Sequence, residues 1–154
     1  MNAFKAGKKG MYVCRGEVSE QQILDKAKAI LKKKAFKKFS VNNPQDARNY
    51  LISEYCELER EVMGILFLDT QLNMIAHEKM FWGTIDGASV YPREIIKAAL
   101  LKHASRLILV HNHPSGTAEA SGADISITHR IQQAANLVDI EVLDHIIVAG
   151  TKAV

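Results

Sequence analysis

The residues best equipped for chemistry lie in "HNHPSGTAEASGAD", positions 111–124. His111 and His113 are one residue apart and follow the apolar segment "RLILV". On a strand, alternate side chains share a side, so both imidazoles can face one way where the strand gives out. Two neutral imidazole nitrogens suit a Zn²⁺ ion. Asp124 falls in the first turn of the next helix, from where its carboxylate can fold back as a third ligand. Two histidines, a carboxylate and an open position make the donor set of a catalytic zinc site, whereas a structural site is closed by four protein ligands. Pro114 and Gly116 favour the sharp turn between the histidines and the helix.

The same residues admit a plainer reading. Ser121 followed three residues later by Asp124 is a helix-capping pattern, and an acid in the first turn is favoured by the helix dipole. The histidines are then polar loop residues. The stretch alone leaves both readings open.

A metal hydrolase also needs a group that collects a proton from water and passes it to the leaving group. The expected candidate is a carboxylate on a neighbouring strand that is not itself a ligand. Glu61 opens "EVMGILFLD", a segment expected to lie beside "RLILV". It is equally readable as a charge at a strand edge. Glu57 and Glu59 are expected at the exposed end of the preceding helix.

These residues have to be held by a scaffold. Residues 1–17 read as a loose, basic lead-in. Ser19, with Gln22 at the reciprocal position, starts a helix with an apolar stripe of Ile23, Leu24, Ala27, Ile30 and Leu31. "FKKFSVNN" breaks that pattern. Asn43 before Pro44 is a second start signal, opening a helix through "QDARNYLISEYCELE" that buries Ala47, Tyr50, Leu51 and Leu58. "VMGILFLD" is apolar almost throughout, as a strand covered on both faces would be. "TQ" turns into "LNMIAHE", and "KMFWGTI" reads as a further strand of an antiparallel meander. Pro92 opens a helix through "REIIKAALLKHAS" with a buried face of Ile95, Ile96, Ala99 and Leu100. "RLILV" is a central strand, "SGADISITHRIQQAANL" a helix and "IEVLDHIIVAG" a last strand. Strands interleaved with helices predict a layered α/β domain with a mixed sheet.

The bulk properties fit one such domain. At 154 residues, 47% hydrophobic and 24% charged, the chain can bury a substantial core. No apolar run approaches the roughly 18 residues of a membrane span, and the N-terminus lacks the apolar region of a signal peptide. Cys14 and Cys56 are far apart, which predicts a reducing, cytoplasmic setting. Charge is uneven. Residues 1–40 hold 11 Lys/Arg against 3 Asp/Glu, and the remainder 9 against 14. A basic segment of this kind can contact nucleic acid non-specifically through residues 1–38, or be a solvated lysine-rich helix face. No arginine cluster or aromatic interleaving points to base reading.

A glutamate before an apolar strand, His-x-His, then Ser-x-x-Asp together resemble the JAMM (MPN+) metalloprotease motif. "EVMGILFLD" is similar to the Glu-x-x-Gly segment of that superfamily. "HNHPSG", "LFLDTQ", "GTIDGASVYPREIIKAAL" and "VLDHIIVAG" resemble its bacterial RadC-like branch over roughly residues 44–150. With the charge distribution, the resemblance divides the chain into a basic N-terminal segment with one helix over 1–40 and, as it implies, a JAMM/MPN-like metalloprotease domain over 41–154. Its fold would be three-layer, a mixed β-sheet flanked by helices, similar to the cytidine-deaminase fold. It implies His111, His113 and Asp124 as zinc ligands, Glu61 as general acid/base and Ser121 as a donor to the tetrahedral oxyanion. The implied reaction is hydrolysis of a peptide or isopeptide amide, with a protein or peptide as substrate and a link to DNA repair carried by the family name.

Some features depart from the family. Ala120 stands where a proline is common, residues 1–40 lack the helix-hairpin-helix pattern of full-length relatives, and "GTKAV" falls short of the usual tail. The His-x-Glu and Cys-x-x-Cys of base deaminases are absent. The competing reading is a DNA-associated accessory protein that binds through its basic segment and carries a non-catalytic metal site. Among other polar residues, His145 in "LDHIIV" is expected to serve structure or support the site rather than ligate. His77, His103 and His129 have no partner at useful spacing. Phe81 and Trp82 are expected in a core or interface, and Arg93 against an acidic partner or the site.

Overall fold

The computed structural model describes residues 3–14, 16–36, 40–41, 43–83 and 90–154. The chain divides into two units, residues 1–37 and 38–154. In the first, the expected loose lead-in is instead a small antiparallel hairpin, β1 (Phe4–Ala6) and β2 (Tyr12–Cys14), with Lys5 opposite Val13. It closes because Lys9 and Gly10 take φ of 36° and 77°, left-handed backbone that glycine supplies at low cost. α1 (Glu20–Phe36) starts at the expected capping box. The Ser19 amide donates to Gln22 Oε1 at 2.9 Å, and the Gln22 amide to Ser19 Oγ at 3.2 Å. Of its apolar stripe, Ile23 and Leu24 are 50% and 40% exposed. Lys5, Lys8, Lys9, Lys32 and Lys33 are exposed as well.

The second unit runs α2 (Pro44–Tyr55), β3 (Val62–Leu68), β4 (Met74–Trp82), α3 (Pro92–Leu101), β5 (Arg106–Asn112), α4 (Gly122–Asn136), β6 (Glu141–Ala149) and β7 (Lys152–Ala153). Five strands form one mixed sheet in the order β4-β3-β5-β6-β7. Only β5 and β6 are parallel. Every residue of β3 is buried, as a strand with neighbours on both edges and helices on both faces must be. Met63, Ile65 and Phe67 join Leu107 and Leu109 in a core with Ile95 and Ala99 of α3 and Ile127 and Ile131 of α4. α2 packs on β5 and β6 through Ala47, Tyr50, Leu51 and Tyr55, which closes the opposite face. This is the three-layer mixed α/β arrangement expected.

Several boundaries moved, each for a tertiary reason. "LNMIAHE" and "KMFWGTI" are not two strands but one. Glu78 and Lys79 both stay paired, opposite Ile65 and Gly64, and no turn residue separates them. Thr84 and Ile85 of the second segment lie outside the described residues, as do residues 37–39 and 42 of "FKKFSVNN". α2 stops at Tyr55 rather than at residue 59, because the following carbonyls are captured by Asn112. α3 stops at Leu101, where His103 turns left-handed with φ 54°. Leu100, expected in its buried face, is 51% exposed. It lies five residues after Ile95, roughly 140° around a helix of 3.6 residues per turn. β7 was not anticipated.

Candidate metal centre

β5 sends Leu107 and Leu109 into the core against α3 and α4, and strict alternation delivers His111 to that same face. A parallel pair needs a crossover, and here α4 is the helix between β5 and β6. The crossover brings the α4 N-terminus back over the carboxyl end of β5, where ligands gather in open α/β sheets. His113 continues the ladder by one bond, its amide donating to Val148 O at 2.8 Å. The chain then turns through Gly116, whose φ is 83° and whose amide donates to His113 O at 3.0 Å. Ser121 caps α4, and Asp124 is its third residue.

Ligand atoms from His111, His113 and Asp124 lie within 4.8 Å of one another. His111 Nε2 is 2.6 Å from His113 Nε2 and 3.1 Å from Asp124 Oδ1, and His113 Nε2 is 3.4 Å from Asp124 Oδ2. His113 Nδ1 lies 2.8 Å from the Thr117 carbonyl. A carbonyl only accepts, so Nδ1 carries the proton and Nε2 of neutral His113 presents a lone pair. Asp124 presents two more oxygens. A single proton on His111 would satisfy one of these contacts, whereas a divalent cation satisfies all three. The donor set therefore fits a metal ion, and among the described residues three side chains make up the group.

Burial favours the neutral form of His111 and His145, whereas hydrogen bonds and nearby histidines favour the charged form of Asp124. Desolvation, aided by the neighbouring histidines, lowers the His111 pKa to about 3, against the pull of Asp124. Desolvation likewise lowers His145 to about 4. At Asp124 burial pushes the carboxyl up, but the bonds from Ser121 and the two histidines outweigh it, and the net is below the ordinary range. The unfolded chain takes up protons on these histidines below about 6.5 while the folded chain does not. Their contribution is therefore fully present above that value and is lost as the pH falls towards about 4. Chelator-treated protein should show a urea midpoint that declines steadily from pH 7 to pH 5. A midpoint that is flat or rising across that window would contradict buried neutral histidines.

The capping pattern of Ser121 and Asp124 is present, and it leaves Asp124 among the groups that could hold a metal ion. Ser121 Oγ accepts the Asp124 amide at 3.1 Å while Asp124 Oδ2 accepts the Ser121 amide at 2.7 Å, leaving Oδ1 for His111. The cap fixes the carboxylate beside the two histidines. The Ser121 hydroxyl, having accepted one bond, still has its own proton to donate.

Glu61 immediately precedes β3. Met63 pairs with His111, and Glu61 lies two residues before it, so extended backbone there would carry Glu61 on the same side as His111. A residue unnoticed in the sequence holds the backbone on either side of Glu61. Asn112, between the histidines, points to the other face and is 3% exposed. Its Oδ1 accepts the Val62 amide at 2.8 Å, and its Nδ2 donates to Arg60 O at 2.9 Å and Leu58 O at 3.3 Å. Those groups flank Glu61 on both sides. The available signal was a polar residue at a strand end whose side chain must face an apolar layer, and so must find partners.

A family model described as RadC-like JAB domain matches residues 41–154. The chain belongs to the RadC-like JAB-domain family. A UPF0758 protein of Marinomonas sp. (strain MWYL1) is 47% identical over 128 residues, covering 83% of this chain and 57% of that protein. One from Cellvibrio japonicus (strain Ueda107) is 52% identical over 114 residues, 74% of this chain and 51% of its own length. A third, from Actinobacillus succinogenes, is 57% identical over 106 residues, 69% and 48% respectively. The chain thus spans about half the length of these curated relatives. In this RadC-like JAB domain the described helices include none long and apolar enough to cross a membrane.

Of the other residues singled out in the sequence, His77 departs most from expectation. His77 was expected without partners, yet its Nδ1 and Nε2 lie 3.0 Å from the Tyr50 and Tyr55 hydroxyls. Those tyrosines stand 22 and 27 residues away on α2, so only the packed fold brings them. His145 does not join the ligand atoms but contacts His111. His129 lines a cleft of about 360 Å³ with Asp124, Thr128 and His145. Phe81 packs on the core, while Trp82 is 60% exposed. Arg93 pairs at 3.3 Å with its neighbour Glu94.

Proposed function

We propose that this domain is a zinc-dependent hydrolase of amide bonds in a peptide or isopeptide substrate. The observation that carries the reading is the convergence of two histidine nitrogens and a carboxylate within 4.8 Å of one another, a donor set that in catalytic zinc sites leaves one position for water or substrate. Zinc in such a set supplies Lewis acidity, polarising a carbonyl and easing the ionisation of water. The remaining work falls to the chain. Glu61, with the backbone on either side of it bound by Asn112, accepts the proton from the attacking water and returns it to the departing amine. The Ser121 hydroxyl donates to the oxygen that gains charge as the carbonyl becomes tetrahedral, a contact worth most when its donor is already oriented. Asp124 holds charge and geometry together, since the cap prevents it from swinging away.

The test separates chemistry from binding. Glu61→Gln removes the proton acceptor but no ligand, so it should retain wild-type zinc and lose turnover by about 100-fold or more. An unbiased proteome-derived peptide and isopeptide cleavage profile of the two proteins, with zinc content measured on the same samples, reads both. Cleavage that is equal in wild type and Glu61→Gln would reject the assignment.

A further inference from the structure

His111 faces a problem that His113 does not. It lies on the buried face of a central strand, 1% exposed, and its Nδ1 meets no backbone carbonyl. Instead Nδ1 is 2.8 Å from His145 Nε2 on β6. His145 Nδ1 is in turn 2.5 Å from Thr128 Oγ1 on α4, and that hydroxyl lies 2.6 Å from the carbonyl of Asp124. The row ends on a group with only one possible role. A backbone carbonyl accepts and cannot donate, so the single Thr128 hydroxyl proton points at Asp124 O. Thr128 Oγ1 must then accept from His145, which puts the His145 proton on Nδ1. His145 Nε2, left with its lone pair, must accept from His111 Nδ1–H. The lone pair of His111 is thereby assigned to Nε2, the atom that faces His113 and Asp124.

We infer that His145 and Thr128 are positioning residues that fix His111 in the tautomer needed to bind metal, using the backbone carbonyl of a second ligand, Asp124, as reference. This rests on the metal reading above and adds to it a direction. Both ligand histidines are then set by a carbonyl at Nδ1, His113 directly by Thr117 and His111 through two intervening side chains. Asp124 contributes twice, through its carboxylate to the metal and through its main chain to the tautomer of its co-ligand. Partners that orient a ligating imidazole typically matter 10- to 100-fold in metal affinity.

The experiment measures zinc affinity of the full chain by competition with a chromophoric chelator, for wild type and four variants. His145→Ala should weaken zinc by about 10- to 100-fold. His145→Gln, whose amide oxygen can accept from His111 and whose nitrogen can donate to Thr128, should recover most of that loss. Thr128→Val, which keeps the shape and removes the acceptor, should weaken zinc several-fold, and Thr128→Ser should not. Long-range proton–nitrogen correlation spectra of the zinc-loaded protein report tautomers directly and should show His145 protonated at Nδ1. A proton on Nε2, or unchanged affinity in both His145→Ala and Thr128→Val, would overturn the inference. Should His145→Ala fail to fold, Thr128→Val and the tautomer spectrum still decide it. Absence of zinc from the wild type would instead remove the metal reading itself, an outcome distinct from zinc that binds indifferently to His145.

Discussion

His113→Ala is expected to strip the metal while leaving the fold nearly intact. Protein prepared without chelator should carry close to one zinc per chain, and the variant should lose it on desalting. Structural zinc sites bind with roughly 10–16 kcal/mol shared among four ligands, so one ligand represents about 3 kcal/mol, on the order of 100-fold in affinity. His113 is the informative choice because its side chain is 13% exposed, against 1% for His111. Its loss frees the Thr117 carbonyl to water. Removing His111 would orphan His145 inside the protein and confuse metal loss with unfolding. Thermal midpoints measured with chelator present should therefore differ little between wild type and His113→Ala, whereas the midpoints with zinc should diverge. Wild-type zinc content in the variant would eliminate the three-ligand site.

Gly64→Ala is expected to be the most damaging small substitution in the domain, though it touches no ligand. A methyl group there would overlap the Tyr55 hydroxyl and come within 2.9 Å of the Glu78 carbonyl. The glycine leaves a passage through which Tyr55, rising from α2, crosses β3 to reach His77 on β4. Burial, followed by the nearby Glu54 and Tyr50, drives the Tyr55 pKa far up, so the phenol stays protonated. Overpacking costs about 1–3 kcal/mol, and breaking the buried Tyr55–His77 bond adds about 1–3 kcal/mol. A loss of roughly 4 kcal/mol would lower the thermal midpoint by about 10 °C for a chain this size. Tyr55→Phe removes the obstructing oxygen, so Gly64→Ala made in that background should cost less than the sum of the two single changes. Strict additivity would show that the passage is not what the glycine provides. The Gly of the Glu-x-x-Gly segment thus has a packing role on the face opposite the metal.

Legibility in the sequence tracked the distance over which a feature is decided. The caps at Ser19, Asn43 and Ser121 were readable, because a side chain and an amide two or three residues apart meet whenever a helix starts. So was β3, since only a strand buried on both faces is apolar throughout. Helix ends were read too late at Glu59 and Ser105. In the first case the chain leaves the helix to satisfy Asn112, more than 50 residues away. β4 runs as one strand because its polar stretch, from His77 to Lys79, stays paired with Leu66, Ile65 and Gly64 of β3.

The types and spacing of the site residues were fixed by sequence: His-x-His puts two imidazoles on one side of a strand end, and Ser-x-x-Asp puts a carboxylate at a helix start. Both are local periodicities, set by backbone geometry before any packing occurs. Tertiary structure alone decided that α4 returns over β5 and that Asn112 binds the backbone groups on either side of Glu61. It also decided which nitrogen of His111 is free, since His145 lies 34 residues away on the parallel neighbour. Proton positions depend on which acceptor each donor meets, and across that separation only strand register and helix packing determine the meeting.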